Sequence, residues 1–329
     1  MKRRPKFSLH WRASDSKPDE KSGAKQPRTL SGNVWTTNRA YWLIIPGLLL
    51  FFVFNLYPII FSVYLSFTDA WFGNINFSFK FIGLANYQRL LSGVGTLFYY
   101  SLGRTFLFVG TSVSLKVLWG LALAIIFNSQ FIVGRRVFRS FLILPWTLPA
   151  VLSILAWRAL FYYPVGAIDT IFQSIGLPQV NWLGNATNAF IAYNIVEVWL
   201  AYPFMMTVIL AALQSVPPSL YDASRVDGAS SWQRLRYITL PLIWRPMLFA
   251  TILTSSSSFQ TLLIPYLLNG GGPSNTNLMV MLWGYQQAFQ NFYIPGMMGQ
   301  AAAFFMLISL IILAFMFIGL KVGGITAEE

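Results

Sequence analysis

Six apolar runs, each as long as a bilayer is thick, leave this chain few folds to choose from. They lie at about 41–67, 98–127, 138–163, 190–213, 240–268 and 298–320. Crossing a hydrocarbon core as a helix takes roughly 20 apolar residues. No water is available there, so every backbone N–H and C=O must bond within the protein. The expected fold is therefore an all-α polytopic membrane protein with six transmembrane helices. Pro46 and Pro58 fall inside the first run, where neighbours must take up the freed carbonyls. Pro145 and Pro149 are expected to bend the third.

Charge is sparse, and its placement is informative. Only 10% of the residues are charged and 56% are hydrophobic, against roughly 25% charged in a soluble domain. No separate soluble enzyme domain has room. The net charge of +13 does not describe a groove for nucleic acid, because the cations crowd into residues 1–39 and into short loops beside spans. No nucleic acid is expected as a partner. Residues 1–39 carry ten Lys and Arg against Asp15, Asp19 and Glu20, broken up by Pro, Ser and Gly. They read as a disordered basic cytoplasmic tail, either a solvated topology signal or a segment that touches anionic membrane lipid. The tail and the span behind it are too long for a cleaved signal, so both are expected to be retained. A six-span domain then occupies 40–322, and 323–329 form a short cytoplasmic tail.

Orientation follows from the loops. Arg135, Arg136 and Arg139, then Arg225, Arg234 and Arg236, then Lys321 fall on the side of the tail. The opposite loops hold only Lys80 and Arg89. The positive-inside rule places both termini and the 214–239 loop in the cytoplasm. The outer loops 71–87 and 176–188 read as short interfacial helices and turns with aromatic anchors. The chain has no cysteine, and its only histidine, His10, lies in the tail. Disulfides, thiol chemistry and a multi-His metal centre are excluded. No GxxxxGK[ST] occurs: Gly270, Gly271 and Gly272 run into Pro273 with no lysine, so they read as a tight outer turn and not as a phosphate cradle.

The spans hold unusual polar groups. Thr254, Ser257, Ser258 and Thr261 follow i, i+3, i+4, i+7 spacing and share one helical face. That face suits a hydroxyl-lined cavity as well as close helix packing; Gln260 favours the polar path. Glu197 lies inside the fourth run, beside Trp199, Tyr202 and Phe204. A buried carboxylate costs about 2.5–3.5 kcal/mol on insertion, so it points to function. A carboxylate beside aromatic faces suits a sugar, whose hydroxyls donate to the oxygens. The competing role is an ion pair with Arg104 of the second run. Arg158 is near a span end and is expected to snorkel. Lys116 lies deeper, and nothing in the sequence assigns it a partner.

The most polar passage between spans is 220–241, LYDASRVDGASSWQRLRYITLP. Pro217 and Pro218 can start a helix, with Ser215 or Ser219 as cap, and Gly228 allows a sharp turn into a second helix. Either an ordinary loop or an amphipathic contact surface fits the periodicity.

This passage resembles the EAA motif of bacterial ABC importer permeases. Asp222, Ala223 and Ser224 stand at the EAA triplet, Gly228 at its glycine, and Ile238, Leu240 and Pro241 at its end. Asp replaces Glu and Ser replaces the second Ala. The resemblance to carbohydrate-type permeases, the maltose-transporter membrane-subunit family, extends over most of 41–320. It includes RSFLILPWTLPAVLSILAW (139–157), NWLGN (181–185), VEVWLAYPF (196–204) and YLLNGGGPSNTNLM (266–279). It implies a type I ABC importer permease fold. It further implies a coupling helix at 220–232, in which Tyr221, Asp222, Ala223, Ser224, Arg225, Asp227, Gly228 and Trp232 meet a separate ATPase. The positions matching the family's sugar contacts are Glu197, Leu200, Ala201, Phe204, Thr254, Ser257, Ser258 and Thr261.

The resemblance implies no cofactor in this chain, with ATP and Mg on the partner. The partners would be a second homologous permease, two copies of an ABC ATPase and an extracellular or periplasmic solute-binding protein. The expected location is the bacterial cytoplasmic (inner) membrane. The expected function is import of a carbohydrate, with an oligosaccharide as the expected size class, by ATP-driven alternating access. An ion-coupled secondary transporter is the alternative, but it would need no such knob and would be expected to carry more buried acids. A membrane-embedded enzyme would need a carboxylate companion for Glu197, which the spans lack.

Overall fold

A computed structural model describes residues 34–73, 78–92, 96–129, 131–290 and 293–323. The expectations for residues 1–33 and 324–329 lie outside the described residues. The chain forms two compact units, one ending at Tyr57 and one starting at Pro58. The first holds α1 (Val34–Phe51) and a π turn, Phe52–Leu56. Residues 34–39, expected in the tail, are already helical. The π turn stands just ahead of Pro58, which has no N–H to continue the α pattern.

The second unit continues with α2 (Tyr57–Ser66), α3 (Ala85–Ser92), α4 (Thr96–Asn128), α5 (Arg135–Thr147) and α6 (Ala150–Leu160). Then come α7 (Ala167–Ser174), α8 (Ala186–Ser215), α9 (Pro218–Val226) and α10 (Ser231–Arg234). A second π turn, Leu235–Thr239, leads into α11 (Leu240–Phe259), followed by α12 (Leu263–Asn269), α13 (Val280–Tyr285) and α14 (Met297–Val322). Among the described residues the only β pairing is an isolated bridge, Thr68 to Phe81.

Five continuous helical stretches are long and apolar enough to span a membrane; α5 and α6 pass the same test only together, as a pair bent by 94°, which brings the number to six where the pair counts as one broken span. Proline causes that bend, which is sharper than a kink. Leu148, ahead of Pro149, is forced to extended backbone at ψ 145. The fifth span also differs from expectation: α11 stops at Phe259, short of 268. The hydroxyls of Ser255 and Ser258 bond back to the carbonyls of Thr251 and Thr254, which weakens a helix. Pro265 then has no N–H to offer the preceding turn.

The two longest helices, α4 and α8, form the spine. They approach closely at Gly120, where a Cβ would meet Met205 at 2.7 Å. Three apolar clusters surround them: Ala124, Met205, Ile209 and Ile243; Phe108, Ile154, Tyr193 and Met279; and Phe98, Phe259, Trp283 and Phe304. Many large apolar side chains face outward, among them Leu118, Trp119, Leu313 and Phe317. Lipid is as apolar as leucine, so large apolar residues can face out of such a bundle as well as fill it.

Candidate substrate site and partner-docking elbow

Three spans meet at one polar cluster. Lys116 of α4 is fully buried. Its Nζ donates to Glu197 Oε1 of α8 at 2.5 Å and to Ser258 Oγ of α11 at 2.7 Å. The Ser258 hydroxyl lies 3.0 Å from the same carboxylate oxygen and 2.9 Å from the Thr254 carbonyl. Burying either charge alone would cost several kcal/mol; pairing and hydrogen bonding offset it. The early end of α11 adds to this. The last turn of a helix carries roughly half a negative charge, and here that turn holds the lysine. The Glu197 side chain keeps 11% exposure, so the cluster opens on the carboxylate side.

Arg104, expected as the partner of Glu197, is engaged elsewhere. It donates to Asn277 Oδ1 and stacks over Phe190, 4.7 Å from the ring centre. Phe190 is seven residues outward of Glu197 along α8, about 10 Å at 1.5 Å per residue. The apolar edges of the runs mislocated the level. α8 starts at Ala186, capped by the Asn185 side chain, which accepts from Thr187 and Asn188. Arg104 therefore fastens the loop that carries Asn277, and Lys116 is the residue that sequence reasoning missed. The second run holds two cations, Arg104 and Lys116, against the single acid Glu197 of the fourth, so the signal named two candidate partners and left the level to decide between them.

Of the other expected sugar contacts, Leu200, Ala201 and Phe204 are half-buried and continue inward from Glu197 on one face of α8. Thr254 is buried beside Ser258. Ser257 is exposed, and Thr261 lies beyond the end of α11, so the four-hydroxyl helical face reduces to Thr254 and Ser258. A groove of about 600 Å³ on α4 and α8 lies elsewhere, lined by Leu115, Trp119, Trp199 and Tyr202. Its Thr111 and Asn194 side chains bond each other at 2.9 Å, which leaves little for a sugar. Among the described residues no three His, Cys, Asp or Glu come together to hold a metal ion.

The second feature is an elbow between the fourth and fifth spans. α9 starts on Pro218 at its first turn, as expected, but without a side-chain cap; Ser215 instead donates to the Ala212 carbonyl. Gly228, at φ 73°, turns the chain into α10. A capping box fixes that start: Ser230 Oγ accepts from Gln233 N–H, and Gln233 Oε1 accepts from Ser230 N–H. The S-x-x-Q spacing is the sequence sign of such a box, which the reading of the passage did not use. Asp222 and Arg225 form an exposed pair at 3.1 Å. Ser224 is buried and donates to the Tyr221 carbonyl. Ala223 and Asp227 are exposed, as are Val226 at 90% and Trp232 at 66%.

A helical membrane bundle with a polar cluster at the crossing of three spans, and a two-helix elbow projecting between two of them, defines a membrane permease. The chain belongs to the family of binding-protein-dependent transport system inner membrane components, whose pattern matches residues 116–320. It is 35% identical over 86% of its length, and 92% of the relative's, to the trehalose/maltose transport system permease protein MalF of Thermococcus litoralis. It is 32% identical over 77% of its length to the maltodextrin transport system permease protein MalC of Streptococcus pneumoniae, of which it spans 62%. A crystal structure of a bacterial ABC transporter involved in import of the acidic polysaccharide alginate matches with a TM-score of 0.71 at 20% identity. That match covers 89% of this chain and 99% of the other. The fold is that of a type I ABC importer permease.

Proposed function

We propose that the chain is one membrane subunit of an ATP-driven carbohydrate importer. It would pair with a homologous permease, two ATPase copies and an extracellular or periplasmic solute-binding protein. Both termini and the elbow would face the cytoplasm, where residues 220–232 seat on the ATPase. Closure of the ATPase dimer would move the elbow and open the outer cavity; hydrolysis would reset it. Sugar hydroxyls would donate to Glu197, with Thr254 and Ser258 behind it and Leu200, Ala201 and Phe204 along the path. Ser257 and Thr261 would line its open edge. ATP and Mg would sit on the partner.

The observation that carries this reading is the carboxylate at the crossing of α4, α8 and α11, buried but with 11% of its side chain exposed. It lies in a chain similar to sugar-system permeases along nearly its whole span length. Reconstitution tests it. Sugar delivered by the binding protein should stimulate hydrolysis and uptake, and deletion of 220–232 should abolish both. Energised uptake by the chain without an ATPase would overturn the reading.

A further inference from the structure

Lys116 is the most completely buried charge among the described residues, and the transport reading gives it no task. Its side chain is 0% exposed, while that of Glu197 keeps 11%. Substrate arriving at the open edge would therefore meet the carboxylate first and feel the ammonium through it. Both bonds within the cluster fall on Oε1 of Glu197; Oε2 takes part in neither. The pair is charge-balanced, and a low-dielectric site makes that balance count, because an uncompensated charge there attracts opposite charge and repels like charge strongly. We propose that Lys116 is a specificity-determining residue. By cancelling Glu197 it sets the site for sugars without net charge, which bind through hydroxyl donation to the free carboxylate edge.

The inference rests on the sugar-site reading and sharpens it to a substrate class. Among the described residues Lys116 is the only cation within 4.0 Å of the Glu197 carboxylate. Arg104 is held outward by Asn277 and Phe190, and the partners of Ser258 are the pair itself and the Thr254 carbonyl. Glu197→Gln would leave an unpaired ammonium behind an amide, and Lys116→Met would leave an unpaired carboxylate at the edge. The two single variants should therefore turn the selectivity in opposite directions, and the double variant should turn it back. A purely structural pair would weaken binding of every sugar alike.

Equilibrium binding to the purified permease–ATPase complex tests this, with the binding protein left out so that its own selectivity does not enter. The probes are maltotriose (neutral), the trimer of glucosamine (cationic) and trigalacturonate (anionic). The wild-type complex should favour maltotriose. Glu197→Gln should shift the anionic-to-neutral ratio upward, and Lys116→Met the cationic-to-neutral ratio, each by about tenfold or more, as expected when a cancelled charge is left unpaired in a low-dielectric site. Lys116→Met/Glu197→Gln, which leaves no buried charge unpaired, should assemble and prefer maltotriose again. An unchanged ranking in the single variants overturns the inference and leaves the sugar site standing. If the single variants fail to assemble, a double variant that assembles but prefers a charged trimer overturns it. Wild-type complex that binds none of the three trimers overturns the sugar-site reading as well.

Discussion

The hydroxyls of Tyr221 and Thr239 lie 3.1 Å apart and tie the elbow to the root of the fifth span. Thr239 also donates to the Arg234 carbonyl at 3.3 Å, five residues back, so the bond spans the π turn. A π turn is a weak point in a helix and a common site of functional adjustment. Displacement of α9 therefore has a direct polar route into α11. Tyr221→Phe keeps the ring and removes the link, which is worth about 1 kcal/mol, or about fivefold in an equilibrium. Uptake per ATP hydrolysed in proteoliposomes should fall by about that factor, with the complex intact. Thr239→Ser, which keeps a hydroxyl, should behave as wild type. An unchanged ratio in Tyr221→Phe would remove this contact from the transmission route.

The elbow exposes more apolar surface than a solvated loop has reason to. Val226 is 90% and Trp232 66% exposed. If they seat in an ATPase groove, Trp232→Ala should cost about 2 kcal/mol or more of docking, the range of an aromatic anchor. Val226→Asp should add a buried charge to the same interface. Copurification of the ATPase should drop for both, while thermal stability of the permease alone stays level. Asp222→Ala separates the intrachain pair from the docking contact, since any loss of copurification beyond the small worth of that pair belongs to the ATPase interface. The pair with Arg225 is about two-thirds exposed on both sides and contributes only about 0.3–0.5 kcal/mol.

How much of this was readable in the sequence depends on the range of the contact. The six spans were, because crossing lipid is a local requirement on composition. The elbow was, because Pro217, Pro218 and Gly228 act on their own backbone. The all-helical permease fold and the importer family were borne out. The level of each side chain in the membrane was not. That level is set by register between α4 and α8, and a start at Ala186 rather than 190 moves the reckoning by more than a turn. So Glu197 was offered Arg104, while Lys116, twelve residues further along α4, was the partner. The break after Phe259 was likewise hidden, since hydroxyl-to-backbone bonds and Pro265 outweigh the apolar run that continues past them.

Arg104 has a testable role of its own. It holds Asn277, whose amide reaches the Ala186 carbonyl at 2.8 Å and the Gly272 carbonyl at 3.2 Å. Tyr100 adds a hydrogen bond to the Thr276 carbonyl. Together they pin the uncharged 270–277 loop to α4 and α8. Arg104→Leu removes a charge-assisted bond worth about 1.5–3 kcal/mol. Amide exchange in 270–277 should quicken markedly, whereas sugar binding at Glu197 should persist. If Arg104→Leu instead abolished sugar binding and left exchange unchanged, the assignment of Arg104 to the loop would be wrong.

Two glycines separate packing from backbone strain. At Gly299, near the start of α14, a Cβ would stand 2.1 Å from the Thr68 carbonyl oxygen and 3.0 Å from Asn86 Nδ2. Those atoms cannot yield easily: the Gly299 N–H bonds the Ala70 carbonyl at 3.0 Å, and Asn86 bonds both the Ser66 and Thr68 carbonyls at 2.9 Å. Overpacking of this kind costs about 1–3 kcal/mol. Gly299→Ala should lower the melting temperature of the purified permease. At Gly228 nothing lies within 4 Å of the added Cβ, but φ is 73°, and the left-handed region costs a side chain about 1–2 kcal/mol. That strain is confined to the elbow, so Gly228→Ala should leave the melting temperature of the bundle level and weaken ATPase docking. Gly228→Asn, a residue that tolerates the left-handed region, should recover most of the docking. Equal melting losses in Gly299→Ala and Gly228→Ala would mean that the elbow is part of the cooperative bundle and not a separately hinged contact.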